Sequence, residues 1–276
     1  QYMNYLIYEL FSGVGLCNQI FSLETAIYLA AIMNRRLILS IKQPLCHCGK
    51  ASWDYGYVMN YFTDNFKDFL PHGIEVHYKS VPESIQEKIN NEQNAFFDES
   101  RFSAIVFVDK ELDTPSNQRH INEFCHKRKK VVFSLNDYKQ PYLYVGKSNA
   151  SRCFSNFYTT HENYRLMYGI ANSLQFKSLF YEMANTIYSK NIKKNSIFVH
   201  LRFGDHHKDV GFLERSNKTM IDSISNFVNA HKTNISTPEV YALIDNKNNE
   251  AFLKAMKNYK MIFVDEMTKN VMESLD

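Results

Sequence analysis

Short apolar runs alternate with longer amphipathic stretches along most of the chain. The apolar run at residues 5–8 predicts a strand. Apolar residues recur with helical spacing from Asn18 to Met33, and a second β-prone run follows at 35–39. This order predicts a β-α-β unit, which is the usual opening of a parallel sheet.

The same alternation continues towards the C-terminus. Further strands are predicted at 74–77, 104–108, 131–133, 142–145, from 197, at 240–244 and at 261–264. Helices are predicted at 83–90, at 164–190 with a break near 173–176, at 220–230, at 250–258 and from 268. The aromatic-rich stretch 53–69 is expected to cover a domain face. The pattern predicts an α/β protein with two doubly wound domains, 1–165 and 166–276.

The strand that begins at Ile197 ends abruptly in polar residues. Its apolar run predicts a central strand of a parallel sheet, and the run is followed at once by Arg202, Gly204 and Asp205. Ligands of open α/β sheets bind beyond the carboxyl ends of the strands. An arginine beside a glycine that permits close backbone approach favours a phosphate-bearing ligand at this point.

Composition excludes several classes of protein. The 276 residues are 45% hydrophobic and 22% charged, as in ordinary globular proteins. A net charge of +3 is too small to indicate a nucleic-acid partner, and no apolar run is long enough to span a membrane. We therefore expect no nucleic acid and no transmembrane segment in this chain. The compartment stays open, with a cytoplasmic microbial or viral location preferred over the Golgi or ER lumen.

Cysteine spacing gives little support for a metal site. The chain has five cysteines, an odd number, and Cys46-His47-Cys48 brings two of them together. Tetrahedral zinc sites usually space their ligand pairs more widely, and no second pair stands out. Free thiols or a local disulfide are therefore favoured, and no metal ion or cofactor is expected.

The loop between the first strand and the first helix is rich in glycine. Gly13 and Gly15 precede a predicted helix N-terminus, which can hold an anion. A dinucleotide-binding site usually has a third glycine and an acidic residue at the end of the second strand. Ser40 and Lys42 occupy that strand end, which argues against such a site. Residues 11–15 also resemble the first motif of cytosine methyltransferases, which bind S-adenosylmethionine, but no Pro-Cys nucleophile motif follows as expected. A tight turn without a ligand also remains open.

Two motifs in order carry a resemblance to a known family. The phrase Gly15-Leu-Cys-Asn18-Gln19, with an arginine-rich strand start after its helix, is followed much later by His200-Leu-Arg-Phe-Gly-Asp205. This layout resembles the GDP-fucose-dependent fucosyltransferases, the superfamily of protein O-fucosyltransferases and α-1,2- and α-1,6-fucosyltransferases. Residues 240–245 are similar to the family's next strand. The resemblance covers most of 5–45 and 165–265.

The resemblance implies a GT-B fold, with two Rossmann-like domains facing each other across a cleft. The C-terminal domain would bind the donor GDP-fucose, and the N-terminal domain would shape the acceptor side. Transfer would be inverting and independent of metal, with a glycan or protein hydroxyl as acceptor. The alternatives are a methyltransferase that uses the Gly13/Gly15 loop and a non-catalytic relative that binds a nucleotide or glycan.

The resemblance also implies roles for individual donor-binding residues. Arg202 would grip the diphosphate and stabilise the leaving group. His200 would lie beside the nucleotide, or would be a hydrogen-bonded histidine at a strand end. Asn18 would reach the phosphates or the sugar, or would be a plain N-cap. Gly13, Gly15 and Gly204 would let backbone approach the donor closely.

Carboxylates supply the remaining candidates. Asp245 would contact the nucleoside or cap the next helix. Asp205 is the candidate catalytic base, or it holds its loop by hydrogen bonds, and Asp209 and Glu214 on the same loop are further candidates. The family's third motif, a Ser-x-Phe-Ser-like turn, would fall after Asp276, so the C-terminal domain is expected to be incomplete in the printed sequence.

Overall fold

The chain forms an α/β protein built from parallel sheets. The computed structural model describes residues 3–10, 15–42, 56–78, 81–91, 104–124, 130–134, 139–146, 156–192, 196–201, 213–231, 239–244 and 248–272. The chain divides into two compact units, Gln1–Lys177 and Ser178–Asp276. Each unit is described by itself below.

Strands and helices alternate along both units. The strands are β1 (Tyr5–Glu9), β2 (Arg36–Ile41), β3 (Ile74–Tyr78), β4 (Ala104–Val108), β5 (Lys130–Ser134), β6 (Tyr142–Val145), β7 (Asn156–Tyr158), β8 (Ile197–Leu201), β9 (Glu239–Ile244) and β10 (Lys260–Phe263). The helices are α1 (Leu16–Ile32), α2 (Glu83–Asn91), α3 (Pro115–Phe124), α4 (His161–Ser173), α5 (Ser178–Asn191), α6 (Leu213–Ala230), α7 (Glu250–Met256) and α8 (Val264–Met272). Short 3-10 helices lie at Val58–Tyr61, Asp64–Phe69 and Lys110–Leu112.

The first unit is centred on a four-stranded sheet in the order β3-β2-β1-β6, with every neighbouring pair parallel. β1 and β2 are almost completely buried, as their continuous apolar runs predict. One face packs against α1, and the apolar side chains of residues 58–70 add Val58, Phe62 and Phe66 to the same core. The expectation that this stretch covers a domain face agrees with that packing.

A buried arginine fixes the amino edge of this sheet. α1 ends in a turn in which Asn34 has φ 52°, a left-handed conformation that asparagine tolerates well. Arg35 follows and is only 2% exposed. Its Nη1 donates to the carbonyls of Tyr5 at 3.2 Å and Gln140 at 2.8 Å, which joins the start of β1 to the segment before β6. Burial lowers the pKa of this guanidinium.

A second sheet in the first unit has the order β5-β4-β7, and it is also parallel. Asp109, immediately after β4, is 3% exposed. Its Oδ2 accepts from Thr159 Oγ1 at 2.6 Å, the Thr160 backbone N–H at 2.7 Å and Asn163 Nδ2 at 3.0 Å. The Tyr28 and Thr159 hydroxyls are 2.9 Å apart, so this network ties α1 to the start of α4. Burial raises the pKa of Tyr28.

The second unit has a three-stranded parallel sheet in the order β10-β9-β8. Its core is formed mainly by one sheet face and by α6 and α7, with Val240, Ala242 and Phe252 fully buried. Within the described residues β8 is an edge strand, whereas its apolar run predicts a central one. Its side chains alternate between buried and exposed, and Phe198 is 58% exposed; the apolar run had suggested burial on both faces.

Several elements differ from the sequence prediction. α4 packs on α1 within the first compact unit, which ends at Lys177. The last helix begins at Val264 rather than 268, because β10 already ends at Phe263. Helix α3 and strand β7 had no counterpart in the sequence prediction. Among the described residues, no helix has both the length and the apolar character needed to cross a bilayer.

Candidate active site

The glycine loop leads into a helix whose first turn faces the carboxyl edge of the first sheet. α1 begins at Leu16, and Gly15 is its N-cap, with extended backbone and no side-chain cap. Because Gly15 occupies the cap, the alternative that Asn18 is a plain N-cap is wrong. Asn18 lies in the first turn and is half-buried, near backbone N–H groups that have no partner within a helix. This turn is therefore suited to an anion.

Gln19 is the most unusual side chain of this turn. It is fully buried, and neither its Nε2 nor its Oε1 has a hydrogen-bond partner in the described part of the chain. A buried polar group without a partner costs about 1–3 kcal/mol. A ligand or water that reached this amide would remove that cost.

A cluster of polar side chains lies at the carboxyl end of the same sheet, on the sheet face opposite the one that α1 covers. Glu9, the last residue of β1, is 8% exposed. Its Oε1 accepts from the Tyr144 hydroxyl of β6 at 2.5 Å and from Lys42 Nζ, just beyond β2, at 2.6 Å. We call Glu9, Lys42 and Tyr144 the strand-end cluster. Three neighbouring parallel strands thus bring one carboxylate, one ammonium and one phenol together.

The polar character of this sheet face extends to β3. Glu9 is paired with Ser40, and Ser40 with His77, in the strand register. His77 Nε2 lies 2.8 Å from Glu75 Oε1 on the same strand. On β1 and β2 the preceding residues of this face are apolar, since Ile7 and Ile38 are buried in one cluster with Val81, which lies just before α2. The change from apolar to polar occurs where α/β sheets bind ligands.

In the second unit the structure describes one predicted site residue. His200 is the penultimate residue of β8, opposite Leu243 of β9, and its side chain is exposed. Arg202, Gly204, Asp205 and Asp245 lie outside the described residues.

Gly13, Asp209 and the Cys46-His47-Cys48 stretch also lie outside the described residues, and of Glu214 only the backbone is described. In the first unit, Gly15 and Asn18 are neighbours at the start of α1. A Cβ at Gly15 would meet nothing within 4 Å, so no close protein contact requires a glycine there. Among the described residues, no group of three or more metal-ligating side chains is found.

Sequence reasoning missed the strand-end cluster. In the sequence Lys42 serves only as evidence against a dinucleotide site, and Glu9 directly follows the strand predicted at 5–8. A charged residue directly after a buried run was the available signal. The partner Tyr144 is 135 positions from Glu9 in the sequence, so only the parallel pairing of β1 with β6 brings them together.

Comparison with known proteins gives matches to solved structures alone. No family model matches the chain, and no curated protein sequence matches it. The fucosyltransferase NodZ from Bradyrhizobium is 12% identical with a TM-score of 0.45, and the match covers 100% of this chain and 84% of that one. POFUT1 in complex with GDP is 12% identical with a TM-score of 0.48, covering 98% and 88%.

A NodZ α-1,6-fucosyltransferase soaked with GDP-fucose is 13% identical with a TM-score of 0.39. These matched structures are described as fucosyltransferases. Identities of 12–13% and TM-scores below 0.5 describe a distant similarity and assign no activity to this chain.

Proposed function

We propose that the chain is a glycosyltransferase of GT-B architecture that transfers fucose from GDP-fucose to a hydroxyl of a glycan or protein. The observation that carries the proposal is a pair of motifs at the carboxyl ends of parallel strands. Gly15-x-x-Asn18-Gln19 follows β1, and His200-Leu-Arg-x-Gly-Asp205 begins with the last two residues of β8. Ligands of α/β sheets bind at such ends. The buried amide of Gln19, which has no hydrogen-bond partner among the described residues, supports a ligand at the first of them.

In the proposed reaction the acceptor oxygen attacks the anomeric carbon of fucose from the face opposite GDP. The sugar–phosphate bond breaks, the configuration inverts, and the electron pair leaves with the β-phosphate. Arg202 is the group proposed to stabilise the developing charge, so no metal ion is needed. Asp205 is proposed to take the proton of the acceptor hydroxyl.

Roles on the donor side follow from the same proposal. Asn18 and the first-turn N–H groups of α1 approach the phosphates or the sugar, with Gly13 and Gly15 leaving room for them. His200, Gly204 and Asp245 contact the nucleotide. The first unit then supplies most of the acceptor side.

Donor binding tests the proposal directly. Calorimetry is performed with GDP and with S-adenosylhomocysteine, and hydrolysis of the common GDP- and UDP-sugars is screened. We expect GDP binding and preferential turnover of GDP-fucose. Binding of S-adenosylhomocysteine alone would replace the proposal with a methyltransferase, and GDP binding without turnover of any sugar would favour a non-catalytic relative.

Arg202→Ala tests the mechanism. We expect a loss of about 100-fold in kcat/KM, or ~2.7 kcal/mol, since the variant removes a charge used mainly in the transition state. Lys218→Ala, which removes a positive charge from an exposed position of α6, is the matched control and should change kcat/KM less than about twofold. Transfer by Arg202→Ala within about tenfold of wild type would refute the phosphate role.

A further inference from the structure

We propose that the strand-end cluster of Glu9, Lys42 and Tyr144 is a subsite for the hydroxyl groups of a neutral sugar, which serves as the acceptor if the proposed fucosyl transfer is correct. The cluster lies at the carboxyl edge of the sheet of the first unit, on the side assigned above to the acceptor. The binding of a neutral sugar does not depend on the proposed function; only the role of that sugar as the acceptor does.

The pattern of hydrogen bonds leaves one carboxylate oxygen for a ligand. Oε1 of Glu9 accepts from both Lys42 and Tyr144, whereas no donor to Oε2 is found within the described residues. An ionised carboxylate has about four lone-pair sites. Oε2 can therefore accept from one or two hydroxyl groups while Oε1 keeps its protein partners.

The second unit contains the same three residue types in a purely structural arrangement. Glu239, the first residue of β9, is 9% exposed. Its Oε1 accepts from Lys260 at 2.7 Å, and its Oε2 accepts from the Tyr241 hydroxyl at 2.9 Å, so both oxygens have protein donors. This group lies at the amino edge of its sheet, away from the edge at which α/β proteins bind ligands. Glu239 thus has protein donors on both carboxylate oxygens, whereas Glu9 has them on Oε1 alone among the described residues.

Stability alone gives no reason for charged residues at the strand-end cluster. Replacing a buried ion pair by apolar side chains of similar volume is often neutral or even stabilising. On β1 and β2 the residues that precede the cluster on this face, Ile7 and Ile38, are apolar and buried. Charged residues at the ligand edge therefore point to recognition.

The charges of the cluster select the class of ligand. One carboxylate and one ammonium balance, so an anion would be repelled by Glu9 and a cation by Lys42. Together they offer both acceptors and donors, which match the hydroxyl groups of a neutral sugar. The Lys42 side chain is 37% exposed, so its ammonium can reach a ligand as well as Glu9.

Local backbone holds the phenol in place. A Cβ at Gly146 would clash with the ring of Tyr144 and would come within 2.9 Å of Glu9 Cγ. The ring therefore lies over the backbone of Gly146, where only glycine leaves room. This packing fixes the hydroxyl against Glu9 before any ligand arrives.

Direct sugar binding tests the subsite without requiring turnover. Methyl β-galactoside, methyl β-glucoside and N-acetylglucosamine are titrated into the full chain and followed by saturation-transfer NMR, with GDP calorimetry on the same samples. We expect at least one sugar to bind the wild type, and Glu9→Gln and Tyr144→Phe to weaken it at least tenfold while GDP affinity stays within twofold. Tyr144→Phe removes a single hydroxyl and keeps the test valid if Glu9→Gln does not fold.

Glu239→Gln is the matched control, because it makes the same change at a carboxylate whose oxygens are both used by the protein. It should leave sugar binding unchanged. Sugar binding that survives both cluster variants, that is lost equally in Glu239→Gln, or that is absent from the wild type overturns the proposal. Glu9-dependent sugar binding without GDP binding would preserve the subsite and refute the fucosyltransferase.

Discussion

Gln19→Leu is expected to stabilise the ligand-free protein and to weaken donor binding. The Gln19 side chain is fully buried, and its two amide atoms lack hydrogen-bond partners among the described residues. Leucine has a similar volume, fills the same space and removes the desolvated amide. A buried polar group without a partner costs about 1–3 kcal/mol, so the free energy of unfolding should rise by about that amount. For a domain of 150–250 residues this corresponds to roughly 2–4 °C in Tm for each kcal/mol.

Urea unfolding and GDP calorimetry measure the two effects on the same samples. The midpoint of unfolding should rise without a change in m, and the Kd for GDP should increase at least fivefold. Gln86→Leu is the control, because Gln86 is an exposed residue of α2, and its effect should remain within about 0.5 kcal/mol. Destabilisation of Gln19→Leu by more than about 1 kcal/mol would mean that the amide is hydrogen-bonded, for example to an ordered water, and the reasoning would fail.

Three further predictions concern the folded state. Asp109→Ala should cost about 3–5 kcal/mol, since three donors lose a buried charged acceptor, while Asp113→Ala at an exposed site should cost under about 0.5 kcal/mol in the same urea titration. Burial raises the pKa of Glu24 above 4.5, so the folded state favours its protonated form and loses stability as pH rises through 4.5 and above. The urea midpoint of Glu24→Gln should therefore be higher than that of wild type at pH 7 and equal to it below pH 4. Equal midpoints at pH 7 would contradict this prediction. Phe252→Ala should lower the free energy of unfolding of the second unit by about 3–5 kcal/mol. In hydrogen-exchange measurements, amides of 178–276 should then lose protection earlier than those of 1–177. Uniform loss of protection would show that the two units unfold together.

Local patterns in the sequence were sufficient for most of the regular structure. The predicted strands at 5–8, 104–108 and 142–145 match β1, β4 and β6 within one residue, because buried parallel strands are continuous apolar runs. Helix α3 was missed because Pro115–Phe124 is predominantly polar. α8 was placed too late, although Asp265 and Glu266 in its first turn are typical of a helix start.

The candidate site was predicted only in part, and the reason is distance along the chain. Gly15, Asn18 and Gln19 are neighbours in one motif, so the sequence alone indicated an anion site at the start of α1. The strand-end cluster and the Tyr28–Thr159 contact join residues 135 and 131 positions apart. Periodicity carries no information on which strands pair, and the order β3-β2-β1-β6 decides which side chains meet.

The position of β1 between β2 and β6 has a consequence for synthesis of the protein on the ribosome. β1 is made before both of its neighbours, and β6, paired at Tyr5↔Tyr142, is made only much later. At about 5–20 residues per second, roughly 7–30 s pass before β6 leaves the ribosome. During this time β1 exposes an unpaired apolar edge, which is a template for aggregation. Truncated nascent chains that end before residue 142 should therefore require chaperones more than longer ones do.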